Sequence, residues 1–190
     1  MFIQTEATPN PATLKFLPGR DVHPAGAIEF NDPEAATASP LAAALFKIDG
    51  VRRVFFGADF ITVTKDSETE WPHIKPSLLG AIMDTFVSGV PVMTGSVSTE
   101  PASSAGAYSG DTAQIVREIE ELLATRVRPA VAQDGGDIDF DRFEPESGTV
   151  FLRLRGSCAG CPSSTITLKQ GIENMLKHYV PEVLRVEQAL

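Results

Sequence analysis

The sequence predicts two small α+β units joined by a flexible linker, and three observations carry that prediction. Apolar periodicity switches between strand-like alternation and helix-like spacing in each half of the 190 residues. Residues 97–110 are Ser, Thr, Ala, Gly and Pro with almost no bulky apolar side chain, the composition of a flexible linker. Hydrophobic content of 43% is enough for a real core. The expected boundaries are 1–92 for the first unit, 93–110 for the linker and 111–190 for the second. The second unit should run helix, strand, strand, helix, strand.

Residues 2–7 and 13–17 read as strands either side of Pro9-Asn10-Pro11, with Pro18-Gly19 as the stop, so they can pair as a hairpin. Residues 21–40 read as loop, with a short strand at 27–30. Ser39 before Pro40 predicts an N-cap with proline at the first helical position, and a helix over 41–48. Strands follow at 51–56 and 60–64 around Gly57-Ala58-Asp59. Trp71-Pro72 opens a helix running through Ile74, Leu78, Leu79, Ile82, Met83 and Phe86, close to four-residue spacing and so one apolar face. In the second half Asp111 or Thr112 should cap a helix with Ile115, Ile119, Leu122, Leu123 and Val127 inward, bent or ended by Pro129. Asp134-Gly135-Gly136-Asp137 reads as a tight turn into a strand over 138–143, with Ile138 and Phe140 on one face. The return strand over 149–155 puts Val150, Leu152 and Leu154 on one face and Phe151, Arg153 and Arg155 on the other. A helix over 162–179 follows, with Ile166, Ile172, Met175 and Leu176 inward. Pro181 breaks it, and a last strand is expected at 183–186.

Charge excludes some partners. The net charge of −9 is shared evenly: 7 basic and 11 acidic residues up to Ser96 give −4, and 9 and 13 from Asp111 on give −4. Neither half is a basic nucleic-acid patch, and an acidic chain does not suit an anionic membrane surface. No apolar run is long enough to span a bilayer. Residues 1–6 lack the marks of a signal or transit peptide, and with two cysteines there is no disulfide scaffold, so a reducing cytoplasm is expected. No Ser/His/Asp set, paired catalytic carboxylates or Walker-type loop appears, so no enzyme is expected.

The two cysteines, Cys158 and Cys161, lie in Gly156-Ser157-Cys158-Ala159-Gly160-Cys161-Pro162-Ser163-Ser164, between a strand-like and a helix-like run. A Cys-x-x-Cys pair brings two thiols close enough to share one metal or one disulfide. Pro162 suits a first helical turn, which places Cys161 at a helix N-terminus, where thiolate is favoured over thiol. Two thiolates are an incomplete site, because structural zinc and iron–sulfur clusters each want four ligands. His23, His73 and His178 stand at no recognised ligand spacing from the pair. Four sulfurs are reached most simply by two chains across a two-fold axis; completion by glutathione or by a partner protein is the alternative. A redox dithiol and a structural zinc half-site compete with this reading.

Other chemistry-bearing residues have plainer readings. The Gly135-Gly136 turn positions a strand rather than a phosphate or metal. Arg153 and Arg155 either offset charge at the cysteine loop, contact a partner, or belong to a solvated strand face. Phe55, Phe56 and Phe60 read as core or hairpin packing, with an exposed subset as a partner surface the alternative. Trp71 reads as helix-start packing, His73 as a surface residue and His178 as a helix-end residue facing the dipole.

The second half resembles the C-terminal domain of the Nfu/NifU iron–sulfur proteins. The residues that carry the likeness are Val131-Ala132-Gln133-Asp134-Gly135-Gly136-Asp137, the strand over 150–155 and Gly156 to Thr165. The first half resembles the Nfu N-terminal domain, from Thr5-Glu6-Ala7-Thr8-Pro9-Asn10-Pro11 through Ile48-Asp49-Gly50-Val51. The resemblance implies a homodimer that holds a [4Fe-4S] cluster between two chains through Cys158 and Cys161 of each. It implies reception of the cluster from an upstream assembly scaffold and delivery to client apoproteins. With the first domain starting at Met1, it also implies a bacterial cytoplasmic protein or a mature form.

Overall fold

The computed structural model describes residues 2–95, 107–160 and 162–189, with the backbone alone at 162–164. Cys161 lies outside the described residues, as do positions 96–106 of the expected linker. The chain divides into two compact units, 1–99 and 100–190. Both mix helices with a sheet, the α+β class that the periodicity predicts.

In the first unit β1 (Gln4–Ala7) and β2 (Thr13–Leu17) form the expected antiparallel hairpin. Asn10 shapes its turn by accepting from the Ala12 N–H at 3.0 Å. With β3 (Ile28–Phe30), β4 (Val51–Phe56) and β5 (Ile61–Lys65) they make a five-stranded antiparallel sheet in the order β1-β2-β5-β4-β3. The helix α1 (Pro40–Phe46) begins at Pro40, and the Ser39 Oγ caps it by accepting from the Ala42 N–H at 3.0 Å. Its hydroxyl donates to the Val92 carbonyl at 2.6 Å. The helix α2 (Trp71–Val87) turns Ile74, Leu78 and Ile82 inward, whereas Met83, one residue and about 100° further round, is 39% exposed and off the expected apolar face. They meet Phe16, Val54, Phe56, Ile61 and Val63 of the sheet, with Leu41 and Leu45 of α1. Phe55 alternates to the other face of β4, where its ring lies 5.9 Å from that of Phe60.

The second unit opens with one helical run in three parts. These are α3 (Gly110–Leu122), a π turn (Leu123–Val127) and α4 (Arg128–Gln133). The run starts just before the expected Asp111 or Thr112 cap. Pro129 accounts for the π turn: it has no N–H to give, and its ring crowds the carbonyl four residues back. The Arg128 N–H bonds instead to the Leu123 carbonyl, five residues away. The wide turn keeps Leu123, Val127 and Val131 in one buried stripe with Val116 and Ile119. Tyr108, which the surrounding composition assigns to the linker, packs on this core. Its hydroxyl donates to the Phe143 carbonyl and accepts from the Phe143 N–H, at 3.0 and 2.8 Å.

The strands β6 (Gly136–Glu144) and β7 (Thr149–Gly156) are antiparallel. The helix α5 (Pro162–Tyr179) then crosses to β8 (Arg185–Gln188), which lies parallel to β7. The register slips between Phe140 and Arg142. Strict alternation from Ile138 would turn Arg142 inward; the extra residue turns Phe143 inward instead. Arg142 is left outside, 3.7 Å from the centre of the Phe151 ring. An inward expectation fails in this unit too. Ile166 is 66% exposed, because it lies about 120° around the helix from buried Ile172. α5 docks through its second half, at Ile172 and Leu176.

Candidate metal centre

Cys158 sits two residues beyond the last pair of the β6–β7 ladder, in which Gly136 faces Gly156. The chain folds back over that pair. A Cβ built on Gly136 would lie 2.6 Å from the Cys158 Sγ and 2.9 Å from the Arg155 carbonyl, so the sulfur occupies the space that any other residue at 136 would need. Two hydrogen bonds fix the approach. The Ser157 hydroxyl donates to the Asp134 carbonyl at 2.6 Å, and the Ser157 N–H to the Gly135 carbonyl at 3.2 Å. The Ala159 N–H closes a turn onto the Gly156 carbonyl at 3.1 Å, and Gly160 follows at φ +83°, the left-handed region that glycine enters without strain. The Thr165 hydroxyl ties α5 back to the loop at the Cys158 carbonyl, 3.4 Å away. Cys158 is 8% exposed and contributes to the core of the unit.

The 134–137 turn is therefore the wall against which the thiol stands, a role its tight-turn reading leaves out. The turn is itself braced. Arg128, at the start of α4, makes two parallel bonds to Asp137, Nε to Oδ1 at 2.8 Å and Nη2 to Oδ2 at 2.6 Å. Asp137 is 5% exposed. These bonds, and the nearby charges of Asp137 and Asp139, hold the guanidinium proton more tightly than usual against partial burial. Arg128 lies 3.8 Å from Asp139, and Asp139 lies 2.7 Å from Arg155, the residue before Gly156. Arg153 pairs with Asp141. The two strand arginines thus complete a diagonal ladder with the aspartates of β6, a strand-face arrangement.

The histidines each have other surroundings. His23 is buried, with Nδ1 2.8 Å from the Gly26 carbonyl. His73 is exposed, and His178 stacks edge-on with Tyr179 at 5.0 Å. Among the described residues no group of three or more His, Cys, Asp or Glu could hold a metal ion. Since Cys158 and Cys161 are the only cysteines of the sequence, one chain supplies at most two thiolates. No helix among the described residues is long and apolar enough to cross a membrane.

A thiol seated at the end of a hairpin, ahead of a helix that begins at Pro162, defines a cysteine-bearing α+β unit, and comparison with known proteins says which. Residues 3–89 match the family model described as the N-terminal part of the scaffold protein Nfu/NifU, and residues 119–187 match the NifU-like domain. The chain is 52% identical to NifU-like protein 4, mitochondrial, of Arabidopsis thaliana, over 99% of this chain and 66% of that protein. It is 51% identical to the human NFU1 iron-sulfur cluster scaffold homolog, mitochondrial, over 100% of this chain and 72% of that protein. A solved NifU-like protein from Saccharomyces cerevisiae aligns with a TM-score of 0.45 at 29% identity, covering 49% of this chain and 84% of that one. The chain belongs to the Nfu/NifU family.

These matches correct the expected compartment. The relatives at about 50% identity over the whole chain are mitochondrial proteins, not proteins of a bacterial cytoplasm. The cytoplasmic expectation rests on the lack of a leader at Met1. This chain spans about two thirds of the length of those relatives, so its first residue carries no information on targeting.

Proposed function

We propose that this chain is a mitochondrial iron–sulfur cluster carrier, in which two copies hold one [4Fe-4S] cluster through Cys158 and Cys161 of each. The observation that carries the reading is the seating of Cys158 over Gly136 in a chain with two cysteines. The donor set is soft and anionic, as iron–sulfur clusters require, and half the size that a four-thiolate cluster needs, so a second copy completes it. The family and the named scaffold relatives support the same reading. The cluster is cargo. An upstream scaffold supplies it, and client apoproteins receive it by thiolate exchange. Each iron–sulfur bond to the carrier breaks as one to a client cysteine forms, the client thiol's proton passes to the released cysteine, and the oxidation state of the cluster does not change. This is binding and delivery rather than catalysis, and the first unit, on its own sheet and core, is available to hold the client.

The test is anaerobic reconstitution with iron and sulfide, followed by metal and sulfide analysis and mass in solution. About two irons and two sulfides per chain in a dimer are expected, with loss of both in Cys158→Ser and in Cys161→Ser. A colourless protein that binds neither, but forms mixed disulfides when one cysteine is replaced, would overturn the carrier and put thiol–disulfide exchange in its place.

A further inference from the structure

The Arg128–Asp137 pair stands outside the cysteine motif, 30 and 21 residues upstream of Cys158, yet geometry couples it to the thiol. Asp137 follows Gly136, whose backbone lies directly under the Cys158 sulfur. The one carboxylate is buried and its partner is a bidentate guanidinium. Through Asp139 the same guanidinium is linked to Arg155, so it braces the start of β6 and the end of β7, the two strand ends that frame the loop. Taking Arg128 away leaves the Asp137 carboxylate buried without its counter-ion, and the strand end must open to hydrate it. Opening at Asp137 moves Gly136, which removes the wall behind the sulfur.

We infer that Arg128 is a positioning residue for Cys158: it holds the thiol in place in the cluster-free chain, so that the ligand is set before the cargo arrives. The inference rests on the reading of Cys158 as a cluster ligand, but its geometry is a property of the apo chain. Lysine is no substitute, since a point charge cannot make both parallel bonds.

The experiment uses the full-length apo chain with Cys161→Ser, so that Cys158 is the one thiol. Iodoacetamide alkylation of Cys158 is timed by intact mass, alongside amide exchange at Leu176 in the core. Arg128→Met should speed alkylation roughly tenfold or more, by local opening, while Leu176 stays protected. Arg128→Lys should fall between the two. A wild-type alkylation rate in Arg128→Met overturns the inference, as does an increase at Leu176 by the same factor as at Cys158, which would mark a purely global effect. If Arg128→Met does not fold, Arg128→Lys decides: severalfold faster alkylation with Leu176 protected supports positioning, and a wild-type rate overturns it. Because alkylation needs no iron, this acceleration together with failure of the unsubstituted chain, with both cysteines present, to bind a cluster on reconstitution would refute the carrier and leave the positioning of the thiol intact.

Discussion

Gly57 in the first unit and Gly136 in the second do the same steric work. A Cβ on Gly57 would lie 2.3 Å from the Phe60 ring, and one on Gly136 would lie 2.6 Å from the Cys158 sulfur. Each glycine gives up its side chain so that another can lie against bare backbone. The returns differ. Phe60 is an apolar ring buried against Phe55 with the Lys15 ammonium 4.8 Å from its centre, and its gain is packing. Cys158 brings little apolar surface, and its surroundings are organised around placing the sulfur: two hydrogen bonds from Ser157, a braced turn and a left-handed Gly160. One device serves a core in one unit and, on the proposed reading, a ligand in the other, so what separates the two is what the glycine accommodates and not the fold that supplies it.

That comparison breaks most sharply under Gly→Ala at the two positions. Gly136→Ala should destabilise the second unit by about 1–3 kcal/mol through overpacking and abolish iron retention, because the sulfur must leave its seat. Gly57→Ala should destabilise the first unit by a similar amount and leave iron per chain unchanged. Trp71 is the single tryptophan and lies in the first unit, so its fluorescence follows that unit alone, and amide exchange follows the second. Equal iron content in both variants would show that the seat over Gly136 is packing only.

Acid sharpens the comparison by a smaller effect. In the second unit the Glu173 carboxyl is held below its ordinary range, first by the hydrogen bond from Lys177 and then by the Val186 N–H. In the first unit Asp66 is lowered mainly by its hydrogen bonds from Thr69. A carboxylate lowered in the folded state contributes stability above its unfolded value, and that contribution is lost as pH falls through the folded value. Both units should therefore weaken on acidification. Glu173→Gln should flatten the acid limb of the second unit and leave that of the first unchanged, as read by amide exchange and Trp71 fluorescence against pH. An unaltered acid limb in the second unit would remove Glu173 from the link between α5 and β8.

What the sequence discloses depends on how far apart the cooperating residues are. Ser39-Pro40 predicts its helix start, and Pro9-Asn10-Pro11 its hairpin turn, because each signal lies within a few residues of the feature it makes. The candidate pair Cys158 and Cys161 is legible for the same reason, although the described residues place Cys158 alone. The wall at Gly136 is hidden, since it requires two segments 22 residues apart to meet. The Arg128–Asp137 brace is hidden likewise by the helix-to-strand corner between its members. Tyr108 escapes notice because its sequence neighbours are small and polar, while the core it packs on and the Phe143 backbone its hydroxyl bonds lie far along the chain. The slip at Asp141 is visible in outline, as Phe143 and Arg142 stand in the wrong order for strict alternation. Ile166 misleads because its apolar side chain suggests burial although its helical position lies off the buried face.

The smallest effect concerns α5, where the same comparison of glycines can be inverted. Gly171 lies mid-helix and exposed, at an ordinary helical φ, and a Cβ there would meet nothing within 4 Å. No neighbour uses its missing side chain, unlike Gly57 and Gly136, so it contributes only the conformational freedom that weakens a helix interior. It stands between the buried half of α5, at Ile172 and Leu176, and the half that carries exposed Ile166 and starts beside the cysteine loop. Gly171→Ala should stabilise the second unit by about 0.5–1 kcal/mol, seen as slower amide exchange across 165–170, with the alkylation rate of Cys158 unchanged if the thiol is held from the Gly136 side. Slower alkylation in that variant would show that the first turns of α5 share in holding Cys158, and would move part of the positioning from the 134–137 turn to the helix.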